Sequence, residues 1–118
     1  MYSEMPRPSA ASDPFLAVAD PTRRAILDRL RRGDTPFAEL AAAFDLSAPA
    51  VSRHLRVLRE ARLVQESRDG RDARQRIYRL DPAPLRDVVA WARGYQQFWE
   101  GNLASLKRHA ERRSRRHE

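Results

Sequence analysis

The sequence contains no cysteine. Disulfide bonds, thiolate metal sites and cysteine nucleophiles are therefore excluded, and the composition fits a reducing compartment. The chain also has no apolar run of about eighteen residues, and no positively charged start followed by an apolar stretch. Neither a membrane span nor a secretory signal is predicted, so we expect a cytoplasmic protein.

Motifs for catalysis are missing as well. The sequence has no glycine-rich phosphate loop, no Gly-x-Ser-x-Gly and no His-Glu-x-x-His, and no histidine is placed with a carboxylate and a nucleophile. We therefore predict that the protein is not an enzyme and has no catalytic residues, no cofactor and no resident metal.

Positive charge, in contrast, is in excess and is localised. The chain carries 23 Lys and Arg against 16 Asp and Glu, a formal net charge of +7. Residues 52–79 hold 9 basic and 4 acidic side chains, and residues 107–118 hold 6 and 2. A localised basic segment is expected of a protein that binds a polyanion. For residues 107–118 taken alone, a solvated, frayed end is the alternative interpretation.

Capping residues and apolar periodicity predict four helices in the first half of the chain. Asp13-Pro14 and Asp20-Pro21 each place an N-cap before a proline at the first helical position. Thr35-Pro36 is predicted to begin a third helix and Ser47 to cap a fourth. Only a few residues separate the last two helices, which is typical of a helix-turn-helix.

After Ala61 the apolar period changes from helical to two. Leu63-Val64 begin one predicted strand, residues 77–80 form its partner, and Asp69-Gly70 favours a hairpin turn between them. A last, longer helix is predicted from Asp81-Pro82. The predicted fold class is mainly α with a small β-hairpin, a winged helix-turn-helix in the order α-α-α-α-β-β-α.

Three regions are predicted along the chain. Residues 1–12 form a flexible leader, residues 13–106 form the winged helix-turn-helix domain for DNA binding and dimerisation, and residues 107–118 form a basic C-terminal tail.

The fourth helix is predicted to read DNA. Small residues at its N-terminal end allow close entry into a major groove, and its outward arginines reach guanine edges or phosphates. The residues assigned to this recognition helix are Ser47, Ala48, Pro49, Ser52, Arg53, His54 and Arg56. For the histidine, hydrogen bonding or a phosphate contact is favoured over metal ligation.

The hairpin is predicted to be a DNA-binding wing, whose arginines contact phosphates or enter a minor groove. Its assigned residues are Arg68, Arg71, Arg74 and Arg76. A solvated arginine face is the alternative interpretation for either element taken alone.

The last helix carries more aromatic surface than so small a domain can cover, which is typical of an interface. We expect a homodimer formed through the first and last helices; a last helix that folds back onto its own domain is the alternative. The predicted interface residues are Phe15, Leu16, Leu85, Val88, Trp91, Ala92, Tyr95, Phe98, Trp99 and Leu103.

Several stretches resemble the ArsR/SmtB family of bacterial repressors. They are residues 20–27 (Asp-Pro-Thr-Arg-Arg-Ala-Ile-Leu), residues 47–58 (Ser-Ala-Pro-Ala-Val-Ser-Arg-His-Leu-Arg-Val-Leu), residues 61–64 (Ala-Arg-Leu-Val) and residues 78–80 (Tyr-Arg-Leu). The resemblance covers about residues 13–106. It implies a homodimeric winged-helix repressor that often controls its own operon and leaves DNA when an effector binds; the chemistry of an effector is not specified.

The chain departs from the metal-sensing members of that family. Those members carry a cysteine pair in the first helix of the helix-turn-helix, or Asp and His ligands along the last helix. Here residues 39–44 read Glu-Leu-Ala-Ala-Ala-Phe, and the last helix has aromatics and Gln96-Gln97 where ligands would be sought. The resemblance is therefore to the cysteine-free branch, without metal sensing.

These observations predict a sequence-specific DNA-binding regulator of transcription. We expect a repressor that acts as a homodimer on an inverted-repeat operator in double-stranded DNA, with autoregulation implied by the resemblance and no membrane partner. One alternative is a winged-helix protein–protein module whose arginine face meets an acidic partner. A basic RNA-binding domain ranks last, because the sequence lacks an aromatic strand platform.

Overall fold

A computed structural model describes residues 13–68 and 70–116, without the side chains of residues 102–104, 115 and 116. It contains five helices and three strands within those residues. They are α1 (Pro14–Ala17), α2 (Pro21–Leu30), β1 (Thr35–Pro36), α3 (Phe37–Ala43), α4 (Ala48–Glu60), β2 (Val64–Arg68), β3 (Arg76–Leu80) and α5 (Leu85–Arg116). The predicted leader, residues 1–12, lies outside the described residues.

Three predicted helix starts are confirmed with their caps. The Asp13 carboxylate accepts a hydrogen bond from the Phe15 N–H at 2.9 Å, and Asp20 accepts one from the Arg23 N–H at 2.9 Å. Ser47 Oγ accepts from the Ala50 N–H at 3.2 Å at the start of α4. Each side chain satisfies an amide that the helix itself leaves without a partner.

The predicted third helix does not begin at Thr35. Thr35 and Pro36 form β1, which pairs antiparallel with β3 through Thr35↔Tyr78 and Pro36↔Ile77, and α3 begins only at Phe37. The strand order is β1-β3-β2, so β1 is an edge strand, where proline is tolerated because its missing N–H is not needed. The mainly helical winged fold is confirmed, with a third strand added to the predicted order.

The last helix begins later than predicted and has a different extent. Asp81-Pro82 precede α5 by a short turn, in which the Leu85 N–H donates to the Pro82 carbonyl at 3.0 Å. The helix then continues to Arg116, through most of the predicted basic tail. Residues 107–116 contain neither proline nor glycine and are rich in arginine, a good helix former.

The core lies among α1–α4 and the sheet. Its members are almost all aliphatic, and Tyr78 of the central strand β3 is 1% exposed. The buried residues are Ala17, Ile26, Leu27, Leu30, Leu40, Val51, Leu55, Leu58, Ala61, Leu63, Val64 and Tyr78. Burial of this cluster fixes the orientation of α4 against the sheet.

Two connections use left-handed backbone. Gly33 after α2 has a φ of 150°, which favours glycine. Arg62 after α4 has a φ of 61°. There the Leu63 N–H donates to the Leu58 carbonyl at 3.0 Å and the Arg62 N–H donates to the Arg59 carbonyl at 2.9 Å. This is a Schellman motif, which ends α4 and sends the chain into the hairpin.

The chain forms two compact units, one ending at Arg86 and the other beginning at Asp87. The first contains the helix-turn-helix and the sheet, and the second contains the rest of α5. The sequence-based division at residues 13–106 stays a prediction. Among the described residues, no helix is both long and apolar enough to cross a membrane.

Arg23 ties the short helix α1 to α2. Its Nε donates to the Ala17 carbonyl at 2.7 Å and its Nη2 donates to the Leu16 carbonyl at 2.9 Å. Arg24 makes one comparable bond, to the Val18 carbonyl at 2.8 Å. Because the last carbonyls of a helix have no partner within it, these arginines satisfy the C-terminal end of α1.

We expect Arg23→Ala to lower the free energy of unfolding by about 1–3 kcal/mol, since it removes two charge-assisted hydrogen bonds. Arg24→Ala is the matched control, and its single, exposed bond predicts a loss below about 1 kcal/mol. Urea denaturation followed by circular dichroism measures both. Equal losses in the two variants would contradict the assigned role of Arg23.

A second prediction concerns acid. The hydrogen bond from the Arg23 N–H, with the nearby His54 and Arg23 charges, lowers the pKa of Asp20 against the opposing effect of burial. Such a carboxylate contributes stability that is complete above its unfolded pKa of about 3.9 and is lost as pH falls through the lower folded value. Asp20→Asn keeps a capping oxygen but removes the charge, so we expect a weaker loss of stability in acid. Urea denaturation between about pH 6 and pH 3 tests this; parallel profiles for the two proteins would contradict it.

Candidate nucleic-acid interface

The inner face of α4 determines which of its residues are presented to solvent. Val51, Leu55 and Leu58 are buried at the 3–4 residue spacing of one helical face. Ser47 and Pro49 define the N-terminal end of the helix, as cap and first-turn residue. The opposite face, with the exposed N-terminal turn, is the surface that can enter a groove.

The residues on that outer face are small at the start and basic further on. Ser47, Ala48 and Pro49 are exposed, whereas Ser52 is half-buried. Ser47 uses its oxygen as an acceptor in the cap, and its hydroxyl hydrogen is still available to donate to a phosphate oxygen. This turn therefore combines close approach with a hydrogen-bond donor.

The two predicted DNA-contacting arginines differ in their surroundings. Arg53 is exposed and forms no ion pair with any residue that the structure describes. Arg56 is also exposed, and its Nε lies 3.9 Å from Glu60 Oε1, one helical turn further on. An exposed pair of this kind contributes at most about 1 kcal/mol, so Arg56 can exchange Glu60 for a phosphate at little cost.

His54 is directed towards α2 and not into the outer face. Its Nδ1 lies 3.5 Å from Arg23 Nη1 and 3.9 Å from Asp20 Oδ2. The position follows from the helix period, because His54 is three residues after Val51 and four before Leu58. His54 therefore positions α4 against α2. No group of three metal-ligating side chains occurs among residues 13–68 and 70–116.

At its C-terminal end, α4 is held against the hairpin. Arg59 Nη1 lies 3.1 Å from Glu66 Oε2, and the Tyr78 hydroxyl donates to the same oxygen at 2.9 Å. Burial and the hydrogen bond to Glu66 raise the pKa of Tyr78 to about 12, so the phenol keeps the proton that it donates. This network joins α4, β2 and β3 and fixes the hairpin relative to the helix.

The four predicted wing arginines lie at the same end of the hairpin but differ in their contacts. Arg68, Arg71 and Arg74 are exposed, at the end of β2 or in the connection between the strands. Arg76 begins β3, and its Cζ lies 4.4 Å from the centre of the Phe37 ring in α3. A cation over an aromatic ring is held in place, so Arg76 anchors to α3 the end of the hairpin where β3 begins, opposite Arg68 of β2.

The predicted interface residues of α5 are mainly aromatic and exposed. Neighbouring rings form a ladder, with centroids 5.3 Å apart for Trp91 and Tyr95 and 6.4 Å apart for Tyr95 and Phe98. Trp91, Tyr95, Phe98 and Trp99, called the aromatic stretch below, are 48–60% exposed. Val88 and Ala92 are half-buried.

The other predicted interface residues are spread over the chain. Phe15 and Leu16 in α1 are exposed. Leu85 is half-buried and packs against the core of the first unit. The side chain of Leu103 lies outside the described residues. Large exposed apolar side chains on α1 and on the aromatic stretch are the features that an interface needs.

Sequence reasoning assigned no role to three residues that shape this surface. Arg23, Arg59 and Glu66 hold α4 at its middle and at its C-terminal end through contacts between different elements. Arg23 belongs to the Asp-Pro-Thr-Arg run that carries the family resemblance, which was the available signal. For Arg59 and Glu66, the local pattern of the sequence carries no signal of their pairing.

Comparison with known proteins agrees with this geometry. The model of a family described as bacterial regulatory protein, arsR family, matches residues 20–66. The chain is 38% identical over 77 residues to the transcriptional repressor SdpR of Bacillus subtilis, covering 65% of this chain and 82% of that protein. It is 45% identical over 83 residues to the HTH-type transcriptional regulator Rv2034 of Mycobacterium tuberculosis, covering 70% and 72%.

A solved structure is similar as well. An ArsR-like transcriptional regulator from Rhodococcus sp. RHA1 superposes with a TM-score of 0.61 at 32% identity, covering 82% of this chain and 86% of that one. These relatives are regulators of transcription, in agreement with the prediction that the chain is not an enzyme. The chain belongs to the ArsR family and is a DNA-binding regulator of transcription.

Proposed function

We propose that the protein is a repressor that binds an inverted-repeat operator as a homodimer. The outer face of α4 enters the major groove, and the hairpin of β2 and β3 contacts the adjacent backbone. The single observation that carries this proposal is the capped helix α4, with a fully buried inner face and an outer face that ends in small residues and exposed arginines.

Arg53 is the residue best suited to read a base. It is exposed, no ion pair within the described residues holds it, and it follows the small first turn that permits a close approach to the groove. Arginine binds guanine O6 and N7 through two parallel hydrogen bonds, which supports readout of sequence. Arg56 is better suited to a phosphate, because Glu60 already holds it to one side.

The hairpin supplies positioning contacts. Arg68, Arg71 and Arg74 are exposed, and the acidic Asp72 lies among them. Contacts of this type neutralise phosphates without reading bases, and they make the affinity fall as the salt concentration rises. The net positive charge of residues 52–79, which cover most of α4 and the hairpin, supports this arrangement.

The aromatic stretch supports the homodimer. A contiguous set of four exposed aromatic side chains is costly in water, and pairing with the same face of a second copy would cover it symmetrically. The sequence-based proposal adds Phe15 and Leu16 of α1. A two-fold dimer would present two copies of α4 about 34 Å apart, one turn of DNA, and this spacing matches an inverted repeat.

Repression, in place of activation, is proposed from the relatives. SdpR of Bacillus subtilis is described as a transcriptional repressor. A bound dimer that covers a promoter would exclude polymerase without any further activity, which is compatible with a chain of this size.

The proposal is tested by fluorescence anisotropy with the purified full chain. The probes are DNA from upstream of its own gene and scrambled DNA of equal length, each at two salt concentrations. We expect saturable preference for the upstream DNA with two protomers per site. Equal, weak binding to the two duplexes that vanishes as the salt concentration rises would contradict an autoregulatory operator. The same result is expected if the arginine face binds an acidic protein.

We expect Arg53→Ala to weaken operator binding by about 1–3 kcal/mol and to lower the preference for operator over scrambled DNA. Arg31→Ala is the matched control, because Arg31 is an exposed arginine at the end of α2, outside the proposed interface. Titration of both duplexes with each variant measures the effect. An equal loss on operator and scrambled DNA would make Arg53 a phosphate contact.

We expect Phe98→Ala to raise the dimer dissociation constant by at least about tenfold, because it removes an aromatic anchor from the proposed interface. Leu46→Ala is the control, since Leu46 is another exposed large apolar residue and lies in the turn before α4. Sedimentation equilibrium measures the dissociation constants. A monomeric unmodified chain, or an equal effect of both variants, would contradict dimerisation through α5.

A further inference from the structure

We propose that residues 107–116, the last turns of α5 and here called the basic end, form a second polyanion-binding surface. Its ligand is the phosphate backbone of the DNA that flanks the operator. This inference rests on the proposed function, because it requires the first unit to hold DNA nearby. It assigns a role to residues 107–116, which belong neither to α4 nor to the hairpin.

Charge changes abruptly along α5. Residues 85–106 carry two basic and two acidic side chains, whereas residues 107–116 carry six basic and one acidic. The same continuous helix therefore has an aromatic part with no net charge and a strongly basic end. A helix that only needed solubility would mix charges of both signs, so this asymmetry favours an anionic partner.

Four basic side chains of the end are presented to solvent. Lys107, Arg108, Arg112 and Arg113 are all exposed, and none forms an ion pair within the part of the chain that the structure describes. Arg108 and Arg112 are one turn apart, with Arg112 Nε 3.5 Å from the Arg108 carbonyl oxygen. Like charges at this spacing repel each other, and a bound anion would offset that repulsion.

The dimensions of the basic end suit a nucleic-acid strand. Ten helical residues span about 15 Å, and each strand of a duplex carries one phosphate per roughly 3.4 Å of duplex axis. The segment is therefore long enough to contact more than one phosphate. Arginine is well matched to such a partner, because its planar fork of donors binds phosphate oxygens in pairs.

DNA is favoured over another acidic partner because of tethering. The basic end belongs to the same chain as α4, which is proposed to bind DNA, so a chain bound to its operator presents the basic end to DNA at a raised effective concentration. No base-reading geometry is needed for such a contact. The basic end would therefore raise affinity without changing the preference for sequence.

The experiment compares two matched pairs of substitutions in the full chain. The test variant is Arg112→Gln/Arg113→Gln, and the control is Arg31→Gln/Arg32→Gln, an adjacent exposed pair at the end of α2. Both remove the same charge, and glutamine is a good helix former, so circular dichroism should show unchanged helix content. The probes are the operator trimmed to its two half-sites, the operator with about one turn of DNA added on each side, and scrambled DNA of the longer length.

On the longer operator we expect the test variant to bind at least about tenfold more weakly than the control at low salt. The slope of log affinity against log salt concentration should fall in magnitude by up to about four for a dimer. The same reduction is expected on scrambled DNA, with the ratio of operator to scrambled affinity unchanged. On the trimmed operator, the two variants should bind alike.

Equal slopes for both variants on the longer operator and on scrambled DNA would overturn the proposal. A test variant that changes the dimer dissociation constant but not the salt slope would overturn it too, since the basic end would then contact a second copy. The proposed function fails separately, when the unmodified chain does not prefer upstream DNA to scrambled DNA. The comparison on scrambled DNA would still decide the role of the basic end.

Discussion

The burial of Val51, Leu55 and Leu58 is the constraint on which the rest of the surface depends. The helix has thirteen residues and buries three apolar side chains in the core. Its rotation about its own axis is therefore fixed, because any other rotation would expose those side chains to water. That orientation fixes the outward position of Arg53 and the inward position of His54. The contacts of His54 with α2 and of Arg59 with Glu66 then support an orientation that core packing determines.

Local sequence patterns were sufficient to predict the elements that have a clear capping residue or a clear apolar period. The caps at Asp13, Asp20 and Ser47 marked helix starts correctly, and alternation after Ala61 located both hairpin strands. A two-residue strand such as β1 is too short to show any period, and its proline imitated a helix start. Pairing with β3, remote in sequence, is what makes Thr35 and Pro36 a strand.

The sequence was sufficient to predict which residues belong to the candidate site. It was less informative about how those residues contact one another. The outer face of α4 follows from the helix period alone. The bond between Arg23 and His54 joins residues 31 positions apart, and the contact of Arg76 with Phe37 joins β3 to α3. Contacts of this kind depend on how the elements pack, which no local window of sequence encodes. Among the wing arginines, the contact of Arg76 with Phe37 therefore had no signal in the local sequence.

The attachment of α1 has a consequence for the native-state dynamics. A helix of only four residues is not stable by itself, so α1 exists because Arg23 and the core hold it. The same arginine touches His54 on α4. Local opening of α1 would release this guanidinium and remove one support of the helix that meets DNA. We therefore expect the two elements to behave as one cooperative unit in amide hydrogen exchange, so that a ligand that orders α1 would slow exchange in α4 as well.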